Sequence, residues 1–280
     1  MAYCASSMSR MVTSSRRSRL CGPVVISALA LTVLGAALPL ARGGEASRSV
    51  SVAVAANMKP AFEELAAAWK ARNPGVDVRV SYGGSGNFFS QIANGAPYDL
   101  FLSADAEFPA RAVEKGLAEG KAFTYAYGKL VAWVPNGSPL DFARRGIAAV
   151  TDPTVKKIAI PNPQLAPYGR AAVAALQAAG VHGAVRDRLV FGQNVSQTAQ
   201  FVESGNAQVG FIPLSLAATP PLSKEGRHWL VPPSTYQRIE QAGVVLKGGK
   251  AAALARDLAD FIMGPAGKTL EKFGYDLPSG

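Results

Sequence analysis

The sequence predicts an α/β protein of two lobes, each a mostly parallel sheet flanked by helices, with a cleft between them. Three observations carry this. Short apolar segments alternate with helical ones from residue 50 onward, the pattern of parallel strands with helical crossovers. The alternation is broken by a strand over 129–134 and starts afresh at Lys157. A late strand, Ile239–Leu246, and two closing helices are long enough to return to the first unit. The expected lobes are 47–130 with 243–280, and 131–242, joined by hinge crossings near 128–135 and 238–245.

Each element has a local reason. Residues 50–55 form an apolar strand, and Asn57 stands where a helix N-cap belongs. Phe62, Leu65, Ala66 and Trp69 then share one helical face up to Arg72, where Asn73-Pro74-Gly75 stops the helix. Residues 76–80 alternate as a strand and 98–102 form another, followed by a helix over 106–115 that Gly116 ends. In the second unit the strands are 157–160, 189–191 and 208–212, and the helices 169–179 and 196–204. Helices near 250–263 and 265–273 finish the chain.

Between the second strand and its helix lies Ser81-Tyr82-Gly83-Gly84-Ser85-Gly86-Asn87. A glycine-rich turn feeding a helix start leaves backbone N–H groups without intrahelical partners beside the positive end of the helix dipole. That suits an anion, although Gly and Ser also populate plain surface turns. The turn lacks the Lys-Ser/Thr of a nucleotide P-loop and the third glycine of a dinucleotide fingerprint.

Of the 280 residues 49% are hydrophobic and 17% charged, a globular composition with enough chain for two lobes. The first 46 residues differ in kind. Arg10, Arg16, Arg17 and Arg19 precede an uncharged run over 23–41, and Gly44-Glu45-Ala46 follows with small residues at peptidase spacing. This reads as an export signal over 1–46. A membrane anchor is the alternative, disfavoured by the extreme N-terminal place and by Gly35 and Pro39 within the run. The Arg16-Arg17 pair raises a twin-arginine route beside the general secretory one, with Arg19 where that signal wants an apolar residue. Both cysteines, Cys4 and Cys21, fall in this segment, so the exported part has no disulfide, thiol nucleophile or cysteine metal ligand. The segment holds five basic residues and one acidic, so a net charge of +10 becomes +6 from Ser47 on. That suits an anionic ligand or membrane surface without requiring either. No run of basic residues interleaved with aromatics points to nucleic acid.

Four strand-to-helix turns, at Asn57, Ser85, Tyr168 and Val195, each place a small or neutral group at a helix start. In open parallel sheets ligands bind beyond the carboxyl ends of the strands. A ligand held between two such edges would meet several helix N-termini, two hydroxyls and an amide, and no charge. Asn57 can also cap its helix, Ser85 can be a turn residue, and Tyr168 can be a core aromatic. Lys59 and Arg170 sit just inside two of these helices and either reach the anion or remain solvated. Asp99 and Asp105 read as structural, the latter as a cap. The two histidines, His182 and His228, lie outside the four turns, so a serine nucleophile has no evident base and a phosphotransfer or hydrolytic enzyme is disfavoured.

Several motifs recur together: Ala55-Ala56-Asn57; Gly84-Ser85-Gly86 with Asn94-Gly95-Ala96-Pro97; Leu100-Phe101-Leu102-Ser103-Ala104-Asp105; and Asn162-Pro163-Gln164-Leu165-Ala166-Pro167-Tyr168-Gly169. On these the chain resembles the molybdate-binding proteins of bacterial ABC importers, which have the type II periplasmic-binding-protein fold. The resemblance spans nearly all of residues 50–278. It implies a tetrahedral oxyanion, molybdate or tungstate, held by neutral hydrogen bonds in the interlobe cleft. Contacts would fall at Asn57, Ser85 and Tyr168, at Val195 through its backbone N–H, and at the backbone of Ala56. No residue would ligate the metal directly, no residue would be catalytic and no cofactor is implied. Asn57 replaces the hydroxyl that one branch of the family has at the first turn, which makes that contact an amide. The partners implied are the oxyanion and a membrane permease, with the protein periplasmic and monomeric. Another tetrahedral oxyanion, such as sulfate, phosphate or a phosphonate, is the alternative ligand; the absence of an acidic acceptor favours a fully deprotonated one.

Overall fold

The computed structural model describes residues 48–264 and 266–278. The export signal expected over 1–46 lies outside the described residues. The chain first lays down β1 (Arg48–Ala55), β2 (Val76–Gly83), β3 (Leu100–Leu102) and β4 (Ala118–Gly128). It then crosses to β5 (Leu130–Pro135), β6 (Ile158–Pro161), β7 (Leu189–Gly192), β8 (Val209–Pro213) and β9 (Gly226–Leu230). It returns as β10 (Ile239–Leu246). Two five-stranded sheets result, ordered β2-β1-β3-β10-β4 and β7-β6-β8-β5-β9.

The fold is α/β with two sheets, as expected, and each sheet is mixed, with one strand running against the other four. β1 runs parallel to β2 and β3, and β6 runs parallel to β7 and β8. β10 is antiparallel to β3 and β4, and β5 is antiparallel to β8 and β9. The reason is connectivity. The parallel strands end at the edge where the two sheets meet, whereas β5 and β10 arrive from the other sheet and so begin there. β4 was not evident in the sequence, because its pairing with β10 shifts register twice and blurs the two-residue period. β9 is a mostly exposed strand at the sheet edge whose Arg227 and His228 mask its character.

Helices cover the sheets: α1 (Lys59–Arg72), α2 (Ser85–Ala93), α3 (Glu107–Glu114), α4 (Phe142–Arg145), α5 (Pro167–Ala178), α6 (His182–Val185), α7 (Val195–Glu203), α8 (Leu214–Ala217), α9 (Leu222–Glu225), α10 (Ala252–Met263) and α11 (Gly267–Lys272). Alternation along β1 sends Val50, Val52 and Val54 to one face, where they meet Phe62, Leu65 and Trp69 of α1 and Leu258 and Ile262 of α10. Ala53 faces the other way, toward Phe88, Phe89 and Phe108. Each such fully buried apolar side chain contributes about 1.5–3 kcal/mol from burial. This packing holds fixed the strand ends that carry the site. Near the crossing, the N–H of Tyr127 donates to Asp276 O at 2.7 Å and that of Asp276 to Tyr127 O at 3.0 Å, tying the chain's end to β4.

Candidate functional site

Four helix starts converge on one small cavity between the sheets. It is lined by Ala56 and Asn57 before α1, Ser85 of α2, Tyr168 of α5 and Val195 of α7, together with the adjoining backbone of Ala55, Gly84, Ala104 and Asn194. All five residues singled out in the sequence thus meet in one place. The cavity has a free volume of about 10 Å3, and the Tyr168 phenol is the one ionisable side chain on its wall. Two larger hollows, of about 450 Å3 beside Arg170 and about 220 Å3 beside Trp229, both carry charged groups.

At the first turn, Ala56–Met58 form a 3-10 turn ahead of α1, so the N–H groups of Ala56 and Asn57 have no intrahelical acceptor. Asn57 is not the cap expected there. Its buried side chain turns away, Nδ2 donating to Gln241 Oε1 and to Tyr275 Oη, both at 2.8 Å. What the first turn presents is therefore backbone N–H, and both side-chain donors of Asn57 are engaged behind the cavity.

Ser85 opens α2 and is 1% exposed. Its Oγ accepts from Ala104 N at 3.0 Å, which leaves the hydroxyl proton free to point into the cavity. The glycines beside it serve a purpose the sequence did not disclose. A Cβ on Gly84 would lie 2.9 Å from Gln193 O, and one on Gly86 would lie 3.1 Å from Leu165 Cα. Both neighbours belong to loops of the second sheet. Gly86 N also donates to Leu165 O at 3.0 Å. The glycines let the two halves approach each other, more than they let a ligand approach the turn.

Tyr168 is fully buried near the start of α5, with Pro167 supplying the preset φ of a first helical residue. Its phenol lies well above the ordinary range, chiefly through burial, so it stays a protonated hydrogen-bond donor. α7 begins at Val195 after an Asn194 cap whose Oδ1 accepts from Gln197 N at 3.0 Å. That satisfies the third N–H of the helix and leaves those of Val195 and Ser196 pointing outward. The positive ends of four helices thus face one point.

Neither nearby cation lines the cavity. Lys59 Nζ lies 5.9 Å from the Tyr82 ring centre, and Arg170 Nη2 donates to Asp105 Oδ2 at 2.5 Å across the junction of the halves. Asp105 does act as a cap, its Oδ1 accepting from Phe108 N at 3.2 Å, and it holds Arg170 as well. Asp99 is structural: its two oxygens accept from Ser51 N at 2.7 Å and Ala251 N at 2.6 Å.

The model of the family described as bacterial extracellular solute-binding protein matches residues 50–276. The chain belongs to this family. It is 41% identical over 252 residues to the molybdate-binding protein ModA of Rhodobacter capsulatus, covering 89% of this chain and 94% of that one. It is 39% identical over 249 residues to the molybdate-binding protein ModA of Azotobacter vinelandii, with 88% and 96% covered. The solved Azotobacter vinelandii periplasmic molybdate-binding protein matches at a TM-score of 0.76 and 33% identity, covering 82% of this chain and 100% of that one. The sulfate-binding protein SubI from Mycobacterium tuberculosis shares the fold alone, at a TM-score of 0.68 and 18% identity, over 81% of this chain and 86% of that one. Membership makes this an exported solute-binding protein and not an enzyme.

The residues behind the cavity escaped the sequence reading. Gln241, Tyr125 and Tyr275 form a buried polar group around Asn57. Gln241 had a usable signal: it is an uncharged polar residue that, after Glu240, opens the apolar remainder of the strand Ile239–Leu246.

Proposed function

We propose that this protein captures molybdate, and also tungstate, and delivers it to the membrane permease of an ABC importer. The observation that carries the reading is a compact cavity faced by four helix N-termini and two hydroxyls, with no ionisable group on its wall but the neutral phenol of Tyr168. A dianion in such a place is held by oriented donors: the N–H groups at Ala56, Asn57 and Val195, the Ser85 hydroxyl and the Tyr168 hydroxyl. Excluding water makes each of these count for more than it would at the surface. A hydrogen phosphate would need an acceptor for its proton, and no carboxylate lines the cavity. Donors come from both sheets, so the bound anion favours the arrangement in which the halves are together. The metal is cargo inside its oxyanion, no protein group ligates it directly and no cofactor takes part. The close relatives' names, molybdate-binding proteins, support the same ligand. The protein works as a monomer in the periplasm, reached by way of an export signal over residues 1–46.

The test is calorimetric titration of the exported part with molybdate, tungstate, sulfate and phosphate. Tight molybdate and tungstate binding with weak phosphate binding is expected, and tight phosphate binding with no molybdate response would sink the reading. Ser85→Ala is expected to weaken molybdate binding by roughly 1–3 kcal/mol, since it removes a buried donor and strands the Ala104 N–H. An unchanged affinity would take Ser85 out of the site.

A further inference from the structure

Resting on that reading, we infer that Gln241 is a positioning residue that fixes the Tyr168 hydroxyl as a donor toward the anion. Gln241 lies on β10, is fully buried and does not line the cavity. Its Nε2 lies 3.4 Å from Ala104 O and 3.4 Å from Tyr168 Oη. Its Oε1 accepts from Asn57 Nδ2 at 2.8 Å. A backbone carbonyl can only accept, so the amide group facing Ala104 O must be the NH2. The same NH2 then faces Tyr168, whose oxygen has to accept from it. A phenol has a single proton. With its oxygen accepting from Gln241, that proton is left to point at the cavity.

The chain of orientation runs one step further back. Tyr275 Oη donates to Asn57 O at 2.9 Å and accepts from Asn57 Nδ2 at 2.8 Å. That turns the Asn57 NH2 toward Gln241 Oε1 and so reinforces the sense of the Gln241 amide. Asn57 thus has two parts to play: its backbone faces the cavity, while its side chain sets the polarity of Gln241. Ser85 is arranged on the same principle, its oxygen accepting from Ala104 N so that only its proton is offered. Ala104 stands between the two devices, its N–H directing one hydroxyl and its C=O the other.

The experiment is a double-mutant cycle on molybdate affinity, with thermal unfolding recorded for each protein. Gln241→Met keeps the bulk and removes the donor. It is expected to weaken binding about tenfold, the equivalent of one neutral hydrogen bond. Tyr168→Phe is expected to weaken binding at least as much. In the Gln241→Met background, Tyr168→Phe should cost little more, because the hydroxyl it removes is no longer aimed. Full losses that simply add, or a Gln241→Met protein that binds like the wild type, overturn the inference. Should the methionine variant not fold, Gln241→Glu retains the acceptor for Asn57 and puts an acceptor opposite Tyr168. Tyr168→Phe should then cost nothing further, and a full additional loss overturns the inference. A wild-type protein that bound sulfate and not molybdate would remove the proposed ligand, while the same cycle read with sulfate would still decide the role of Gln241.

Discussion

Gly128→Ala is expected to weaken anion binding by about a hundredfold, roughly 3 kcal/mol, although residue 128 does not line the cavity. Gly128 closes β4 just before the chain crosses to β5. A methyl group there would overlap the Tyr168 hydroxyl, approach Tyr168 Cζ to 3.0 Å and lie 2.8 Å from Gln241 Nε2. Neither neighbour can yield cheaply. Tyr168 and Gln241 are both fully buried, and Gln241 is held by Asn57. Tyr168 must therefore move with the start of α5, which carries its donor away from the anion and holds the halves apart. Overpacking of this kind also costs about 1–3 kcal/mol of stability. The two effects separate in a second variant. Gly128→Ala combined with Tyr168→Phe removes the overlapped atom, so thermal stability should largely recover while affinity does not. Wild-type affinity in the single variant would show that Tyr168 has room the structure does not give it.

The same residue shows what could be read in the sequence and what could not. Gly128 was visible as the end of a segment, yet its neighbour Tyr168 lies 40 positions on and Gln241 over a hundred. Local pattern reached the helix starts, because a small or polar residue between an apolar strand and a helix is a local signal, and all five expected residues line one cavity. It did not reach the direction in which a side chain points. The sequence points to an amide contact between Asn57 and the ligand, whereas the Asn57 NH2 serves Gln241 and Tyr275 from the far end of the chain. Arg170 looked available to an anion, and it is held by an aspartate 65 residues away. The one reversed strand in each sheet escaped for a related reason. Parallel and antiparallel pairing depend on the side from which a strand enters, and the crossings that reverse β5 and β10 follow from topology, which no hydrophobic period encodes.

Arg170→Met gives the second large effect, since it leaves a mostly buried carboxylate without its cation at the junction of the halves. Arg170 Nη2 lies 2.5 Å from Asp105 Oδ2 and 3.4 Å from Glu107 Oε2. The Asp105 side chain is 11% exposed and that of Arg170 39%. Removing one partner of a fully buried pair costs several kcal/mol; with the arginine this exposed, water screens and partly replaces it, so about 1–2 kcal/mol is expected. The dependence on pH distinguishes a true pair from two neighbours. Burial holds the Asp105 carboxyl above its usual range, against the lowering influence of the Phe108 N–H, Arg170 and the Ser103 hydroxyl. The folded chain therefore keeps this proton at a pH where the unfolded chain has released it. Stability consequently falls as pH rises from the ordinary carboxylate range through the raised value. Without Arg170 that value climbs further, so the fall should become larger and extend toward neutral pH. Thermal unfolding of both proteins across the acidic to neutral range measures it. A variant whose pH dependence matched the wild type would mean that Arg170 is solvated and that the halves are held at this point by other contacts, among them the Gly86–Leu165 hydrogen bond.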